Sequence, residues 1–154
     1  LKSGGTVNAW DMFTGFIPGT IGETSVIALL IGAIILLVTG VIDLKIPATY
    51  IVTFTVFLVL FAQQGRDPYY ITCQLCGGGL MLGAFFMATD YATSPITSAG
   101  KILFGICLGV MTGIFRVFSS SAEGVSYAII FCNLLVPLIE NITLPKCFGK
   151  GGEV

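Results

Sequence analysis

Apolar residues gather into five runs, at positions 25–42, 46–62, 71–88, 102–117 and 125–144, with charged residues at or near the ends of each. Each run is about 15 to 20 residues long, and at about 1.5 Å of helical rise per residue it nearly spans a hydrocarbon core of about 30 Å. The pattern therefore predicts an all-α integral membrane protein with five transmembrane helices, the shorter of which start or stop inside the bilayer. Three regions follow. Residues 1–20 form an external loop and bent approach segment, residues 21–145 the five-helix transmembrane domain, and residues 146–154 a polar tail.

Composition agrees with that class. The chain is 55% hydrophobic and 10% charged, has no histidine, and has a mean hydropathy of +0.98. Five spans put the two ends on opposite sides of the membrane. With the N-terminus outside, Lys45, Lys101, Lys146 and Lys150 fall inside against Lys2, Arg66 and Arg116 outside, a weak positive-inside bias. A net charge of −1 carries no sign of nucleic-acid or anionic-lipid binding. Because the chain opens on Leu1 and residues 1–12 lack a basic stretch followed by an apolar one, a fragment or processed product is expected rather than a signal peptide.

Chemistry concentrates where charge interrupts the apolar runs. The segment F-T-G-F-I-P-G-T-I-G-E-T-S carries Glu23 behind Gly15, Pro18, Gly19 and Gly22, directly into the first run. An acid beside hydrocarbon costs several kcal/mol unless it is paired, protonated or facing water, so a functional role is its default reading. Bent backbone at that depth has to be buried by protein or lined by water. In the fifth run, Pro137, Glu140 and Asn141 fall within P-L-I-E-N-I. A proline frees a carbonyl one turn earlier, and with a carboxylate and an amide this makes an oxygen set suited to Na⁺ or a proton relay. Glu140 reaching outward to the interface is the competing reading.

Between the third and fourth runs, M-A-T-D-Y-A-T-S-P-I-T-S has hydroxyls in abundance and one charge, Asp90. Two readings stand open. Either the stretch lies partly within the membrane, or Thr97 or Ser98 caps the fourth helix, Pro95 sets its approach and Asp90 is a solvated helix end. Arg116 and Glu123 mark the opposite interface and form at most a weak surface pair.

Glycines recur at every fourth position as Gly105, Gly109 and Gly113, lining one helix face on which a neighbouring backbone can approach closely. Gly77, Gly78, Gly79 and Gly83 allow either similar packing or a break in the third helix. Cys73, Cys76, Cys107, Cys132 and Cys147 read as free, buried, small hydrophobes. Cys73 and Cys76 form a C-x-x-C, yet no second pair or histidine completes a tetrahedral metal site, so neither metal ligands nor a catalytic set is assigned.

Three motifs in order, F-T-G-F-I-P-G-T-I-G-E-T-S followed by A-L-L-I-G, then F-F-M-A-T-D-Y-A-T-S-P-I-T-x-x-G-K, then N-L-L-V-P-L-I-E, resemble the C-terminal half of the RnfD/NqrB family, and the L-K-S-G-G-T opening looks more like RnfD. The resemblance covers nearly the whole chain. It implies a membrane subunit of a redox-driven ion pump that couples electron transfer from reduced ferredoxin or NADH to Na⁺ or H⁺ movement, in a bacterial inner membrane, beside the other subunits of its complex.

The implied fold is one half of a urea-transporter-like inverted repeat of five-helix units. The family carries FMN on a threonine in an S-[GAS]-A-T motif. Ser3-Gly4-Gly5-Thr6 imitates it with Gly5 in place of alanine, so Thr6 is not expected to be the anchor, which the resemblance places upstream of Leu1. A riboflavin or other second flavin nearby is compatible with the family. Glu23, Asp90 and Glu140 match the membrane carboxylates of the implied ion pathway, with Glu140 replacing an aspartate of the NADH:quinone branch. A passive channel of the urea-transporter type and a purely structural subunit are the alternatives.

Overall fold

The computed structural model describes residues 25–62, 67–77, 79–118 and 124–144. The described residues are helical: α1 (Val26–Val38), α2 (Lys45–Phe61), α3 (Pro68–Cys76), α4 (Leu80–Met87), α5 (Ser98–Phe118) and α6 (Gly124–Thr143). Local chemistry marks several boundaries. Ser25 Oγ accepts the Ala28 N–H at 3.4 Å to open α1, and Gly40, at a left-handed φ of 70°, follows its end. Asp67 caps α3 by accepting the Tyr69 N–H at 3.1 Å, with Pro68 in the first turn, where a missing N–H costs nothing.

The third apolar run breaks. α3 stops at Cys76, Gly79 adopts φ 68°, and α4 leaves at an angle of 62° to α3. Few residues other than glycine take that backbone conformation readily, so the glycine cluster makes the bend. Beyond it, Gly83–Met87 is wound as a π-helix, closed by the Ala88 N–H to the Gly83 carbonyl at 2.7 Å. The same cluster also packs, because a Cβ on Gly83 would run into the Val125 side chain of α6. Both readings of these glycines therefore hold at different positions.

Among the described residues, α5 and α6, of 21 and 20 residues, are long and apolar enough to cross a membrane, and the bent pair α3–α4 makes a third span when counted as one. α2 and α1 are shorter, 17 and 13 residues, or about 25 and 20 Å of helix. The outward helix faces are largely apolar: Ile31, Ile34, Val38, Val56, Leu134 and Leu138 are all exposed. Such a surface suits lipid or protein neighbours and not water.

The core lies where α2, α5 and α6 meet. Tyr50, Phe54 and Leu58 of α2 pack with Phe104 and Leu108 of α5, Ile129 and Cys132 of α6, and Leu80 and Ala84 of α4. The glycine face of α5 sits on α2, where residues at the same four-residue spacing fill the space left by the missing side chains. A Cβ at Gly105 would strike Thr49, one at Gly109 would come within 2.6 Å of the Thr53 Cβ, and one at Gly113 would strike Phe57. Burying a hydroxyl here requires a partner. The Thr112 and Tyr50 hydroxyls satisfy each other at 2.6 Å.

Candidate functional site

Proline at position 137 lies inside α6 and has no N–H to return to the carbonyl four residues earlier, that of Asn133. Residues 133, 136, 137 and 140 share one helix face by their spacing. Asn133, Val136, Pro137 and Glu140 line a cleft of about 570 Å³, closed on the other side by Tyr91–Ile96 and by Lys101 at the start of α5. Its wall thus joins the proline turn of α6, the hydroxyl-rich stretch after α4, and the first turn of α5.

Two sets of hydrogen bonds fix this arrangement. Glu140, half-buried, accepts the Ile96 N–H on Oε1 at 3.2 Å. Pro95 is fully buried beside it in sequence. Thr97 caps α5 by accepting the Gly100 N–H at 3.0 Å, donates to Thr143 Oγ1 at 2.8 Å, and Thr143 in turn donates to the Ile139 carbonyl at 2.8 Å. Thr97 is therefore the cap, while Ser98 accepts from Lys45 Nζ at 3.0 Å.

Charge at this end is arranged around the cleft mouth. Lys101 lines the cleft, and its ammonium pairs with Asp43 at 2.7 Å. That hydrogen bond holds the Asp43 carboxyl below its ordinary value of 3.8, against the opposing effect of desolvation and with the charges of Lys101 and Lys45 adding to it. With Lys101 compensated, Glu140 gives the cleft a carboxylate that has acceptor capacity beyond its one bond to Ile96.

The acids predicted for an ion pathway separate. Glu140 lines the cleft; Asp90 is exposed at the start of the hydroxyl-rich stretch, where its carboxylate accepts from Thr93 Oγ1 at 3.3 Å and its carbonyl from the Ser94 N–H at 3.1 Å. Glu23, Thr6, Glu123 and Cys147 lie outside the described residues. Asn141 is exposed and is not part of the cleft wall, which takes Asn133 instead. The signal for Asn133 was present: it stands four residues before the proline and seven before the acid. Its Oδ1 is buried with no hydrogen-bond partner, alone in that among buried side-chain atoms of the described residues.

At the other end of α5, Arg116 turns back to the helix break. It donates to the Gln74 and Gly77 carbonyls and to Gln74 Oε1, the last at 3.0 Å, and stacks 5.5 Å above the Phe54 ring. A guanidinium there answers carbonyls at the broken end of α3 as well as the negative end of its own helix. Sequence placed it at an interface, and the fold gives it this second task. Cys73, Cys76, Cys107 and Cys132 are free thiols. Among the described residues no group of three or more His, Cys, Asp or Glu side chains is placed to hold a metal ion.

Comparison with known proteins gives the chain its relatives. It is 42% identical over 150 residues to a subunit of the Na⁺-translocating ferredoxin:NAD⁺ oxidoreductase complex from Acetobacterium woodii, covering 96% of this chain and 45% of that one. It is 41% identical over 140 residues to a subunit of the Na⁺-translocating NADH-quinone reductase from Chromohalobacter salexigens, covering 86% and 34%. To a subunit of the proton-translocating ferredoxin:NAD⁺ oxidoreductase complex from Clostridium ljungdahlii it is 38% identical over 142 residues, covering 90% and 42%. The chain thus spans less than half the length of these curated relatives. The model of the NQR2, RnfD, RnfE family matches residues 1–149, and the chain belongs to that family.

Proposed function

We propose that this chain is part of a membrane subunit of a redox-driven ion pump, in which electron transfer from reduced ferredoxin or NADH drives Na⁺ or H⁺ across a bacterial cell membrane. One observation carries the reading beyond family membership: a half-buried carboxylate, Glu140, faces a cleft within an apolar helix at a proline-broken hydrogen-bond ladder. Ionisable groups inside membrane helices that face a cavity are placed for ion or proton movement, since the cost of burying them is otherwise unrecovered. Relatives named for Na⁺ and for proton translocation stand at similar identity, which leaves the choice of ion to this chain's own residues.

Glu140 is the cleft acid of the pathway in this reading, and Asp90 and Glu23 are its other carboxylates. The short helices α1 and α2 complete a five-helix unit, half of an inverted repeat whose other half is a second unit of the same kind. Partners are the remaining membrane and redox subunits of an Rnf- or Nqr-type complex. On the family resemblance, FMN is carried on a threonine of an S-[GAS]-A-T sequence upstream of Leu1 in this reading, and Thr6 is not that anchor. Coupling is electrostatic: a charge gained by the complex on reduction, even about 10 Å away in a poorly screened interior, is worth a few kcal/mol of bias on a cation in the cleft.

The test is reconstitution of the complete complex in vesicles, with Na⁺ followed by tracer and H⁺ by a pH dye. Ion movement that starts on adding reduced ferredoxin and NAD⁺, or NADH and quinone, is the expected result. Solute leak down its gradient without reductant would support a passive channel, and electron transfer without ion movement a structural subunit.

A further inference from the structure

Among the described residues, two hydrogen bonds join α6 to the start of α5 and the stretch before it, and one of them carries a charge. The Thr97 and Thr143 hydroxyls meet at 2.8 Å, a neutral bond. Three residues before Thr143, Glu140 Oε1 accepts the Ile96 N–H across the cleft at 3.2 Å. Among the described residues this is the one hydrogen bond from residues 91–96 to another element, since Thr93 and Ser94 bond back to Asp90. It is also the one bond of the Glu140 carboxylate, because Lys101 on the cleft wall is taken by Asp43 and Lys45 by Ser98. Packing does little to replace it. Tyr91 and Ile96 are 96% and 81% exposed, and buried Pro95 sits against α5, where a Cβ on Gly100 would come within 3.0 Å of the proline Cβ. The outer wall of the cleft thus rides on α5, while Glu140 belongs to α6, just past the turn that Pro137 deprives of a hydrogen bond.

A hydrogen bond to an ionised acceptor is about twice as strong as one between neutral groups. From this we infer that the Glu140–Ile96 bond is a charge-sensitive latch on the cleft: with Glu140 ionised it holds residues 91–96 against α6, and when an arriving ion cancels that charge the bond weakens and the outer wall lets go. The inference rests on the reading of Glu140 as the pathway acid, and it gives that acid a second task, signalling its own charge state to the wall opposite. A proton and a metal cation cancel the charge alike, so the latch answers either. The Thr97–Thr143 bond is neutral in both states and keeps the end of α6 on the start of α5, which confines the opening to the cleft.

Amide hydrogen exchange, resolved to single residues in the complete complex in detergent, reads the latch directly. The Ile96 N–H reports on it, and the Gly100 N–H, held by Thr97 at 3.0 Å, is the internal reference for the start of α5. Glu140→Gln keeps an acceptor and removes the charge, while Glu140→Leu removes both. Exchange at Ile96 is expected to quicken severalfold in the glutamine variant and at least tenfold in the leucine variant, with Gly100 unchanged in both. Should the leucine variant not assemble, the glutamine variant carries the test. Unchanged exchange at Ile96 overturns the inference. So does a rise at Ile96 matched at Gly100, which marks general loosening of this end, and so does a rise in the leucine variant alone, which leaves a bond indifferent to charge. None of these results bears on the pump, which fails separately if the wild-type complex in vesicles shows no redox-driven ion uptake.

Discussion

Thr97 and Thr143, 46 residues apart in sequence, join their hydroxyls at 2.8 Å and so tie the start of α5 to the end of α6. The same Thr97 oxygen caps α5. Thr97→Ala therefore removes a cap and a tertiary bond together. A loss of about 1–2 kcal/mol is expected for the cap alone, seen as a lowered thermal midpoint of the purified subunit in detergent. Thr97→Ser, which retains the oxygen, is expected to recover most of it, and equal loss in both variants would contradict the capping role.

The glycine face of α5 makes a second prediction. Gly109→Leu forces a side chain into Thr53 and the α2 backbone, with an overpacking cost of about 1–3 kcal/mol or more. Gly40→Ala, by contrast, meets nothing within 4 Å and pays only for its left-handed backbone, about 1–2 kcal/mol. Detergent-solubilised yield and thermal midpoint are expected to fall further for Gly109→Leu than for Gly40→Ala; the reverse order would mean that α5 and α2 do not pack this way.

Arg116 holds the broken end of α3 through three acceptors and the Phe54 ring. Lysine keeps the charge without the planar fork. Both Arg116→Lys and Arg116→Gln are expected to loosen the bend and increase maleimide labelling of half-buried Cys76 severalfold, with Cys107 on α5 as the internal reference. Labelling of Cys76 unchanged in both would separate Arg116 from the break.

The Lys101–Asp43 pair gives a pH dependence of known sign. Because the folded-state carboxyl lies below its ordinary 3.8, the pair's contribution is fully present above that value and is lost as pH falls through the lower folded value. Both partners have exposed portions, so a double-mutant cycle at neutral pH is expected to give about 0–1 kcal/mol, reduced by salt. A coupling that grows on acidification would contradict the assignment.

How much of the fold is legible in the sequence depends on the range of the interaction. Gly105, Gly109 and Gly113 announce their face by spacing alone, and the Thr97 cap and Pro137 act within a turn or two of their own helices. Asn133 is hidden inside an apolar run, where one amide attracts little notice; its meaning depends on residues 91–96 folding across α6, a contact the local sequence does not encode. The reach of Arg116 is hidden in the same way, since its partners Gln74 and Gly77 lie about 40 residues earlier and become accessible only because Gly79 turns the chain. The run of residues 71–88 reads as one span by hydropathy, and only backbone conformation at the glycines divides it.

Whether Glu140 carries the transported cation is tested most directly by ion uptake per electron in vesicles containing the complete complex with Glu140→Gln. Glutamine keeps the volume and an acceptor for the Ile96 N–H while removing the charge. Electron transfer to soluble dyes is expected to persist while coupled Na⁺ or H⁺ uptake falls at least tenfold, with Glu140→Asp retaining part of it. Uptake per electron at the wild-type value in Glu140→Gln would contradict that role for the carboxylate.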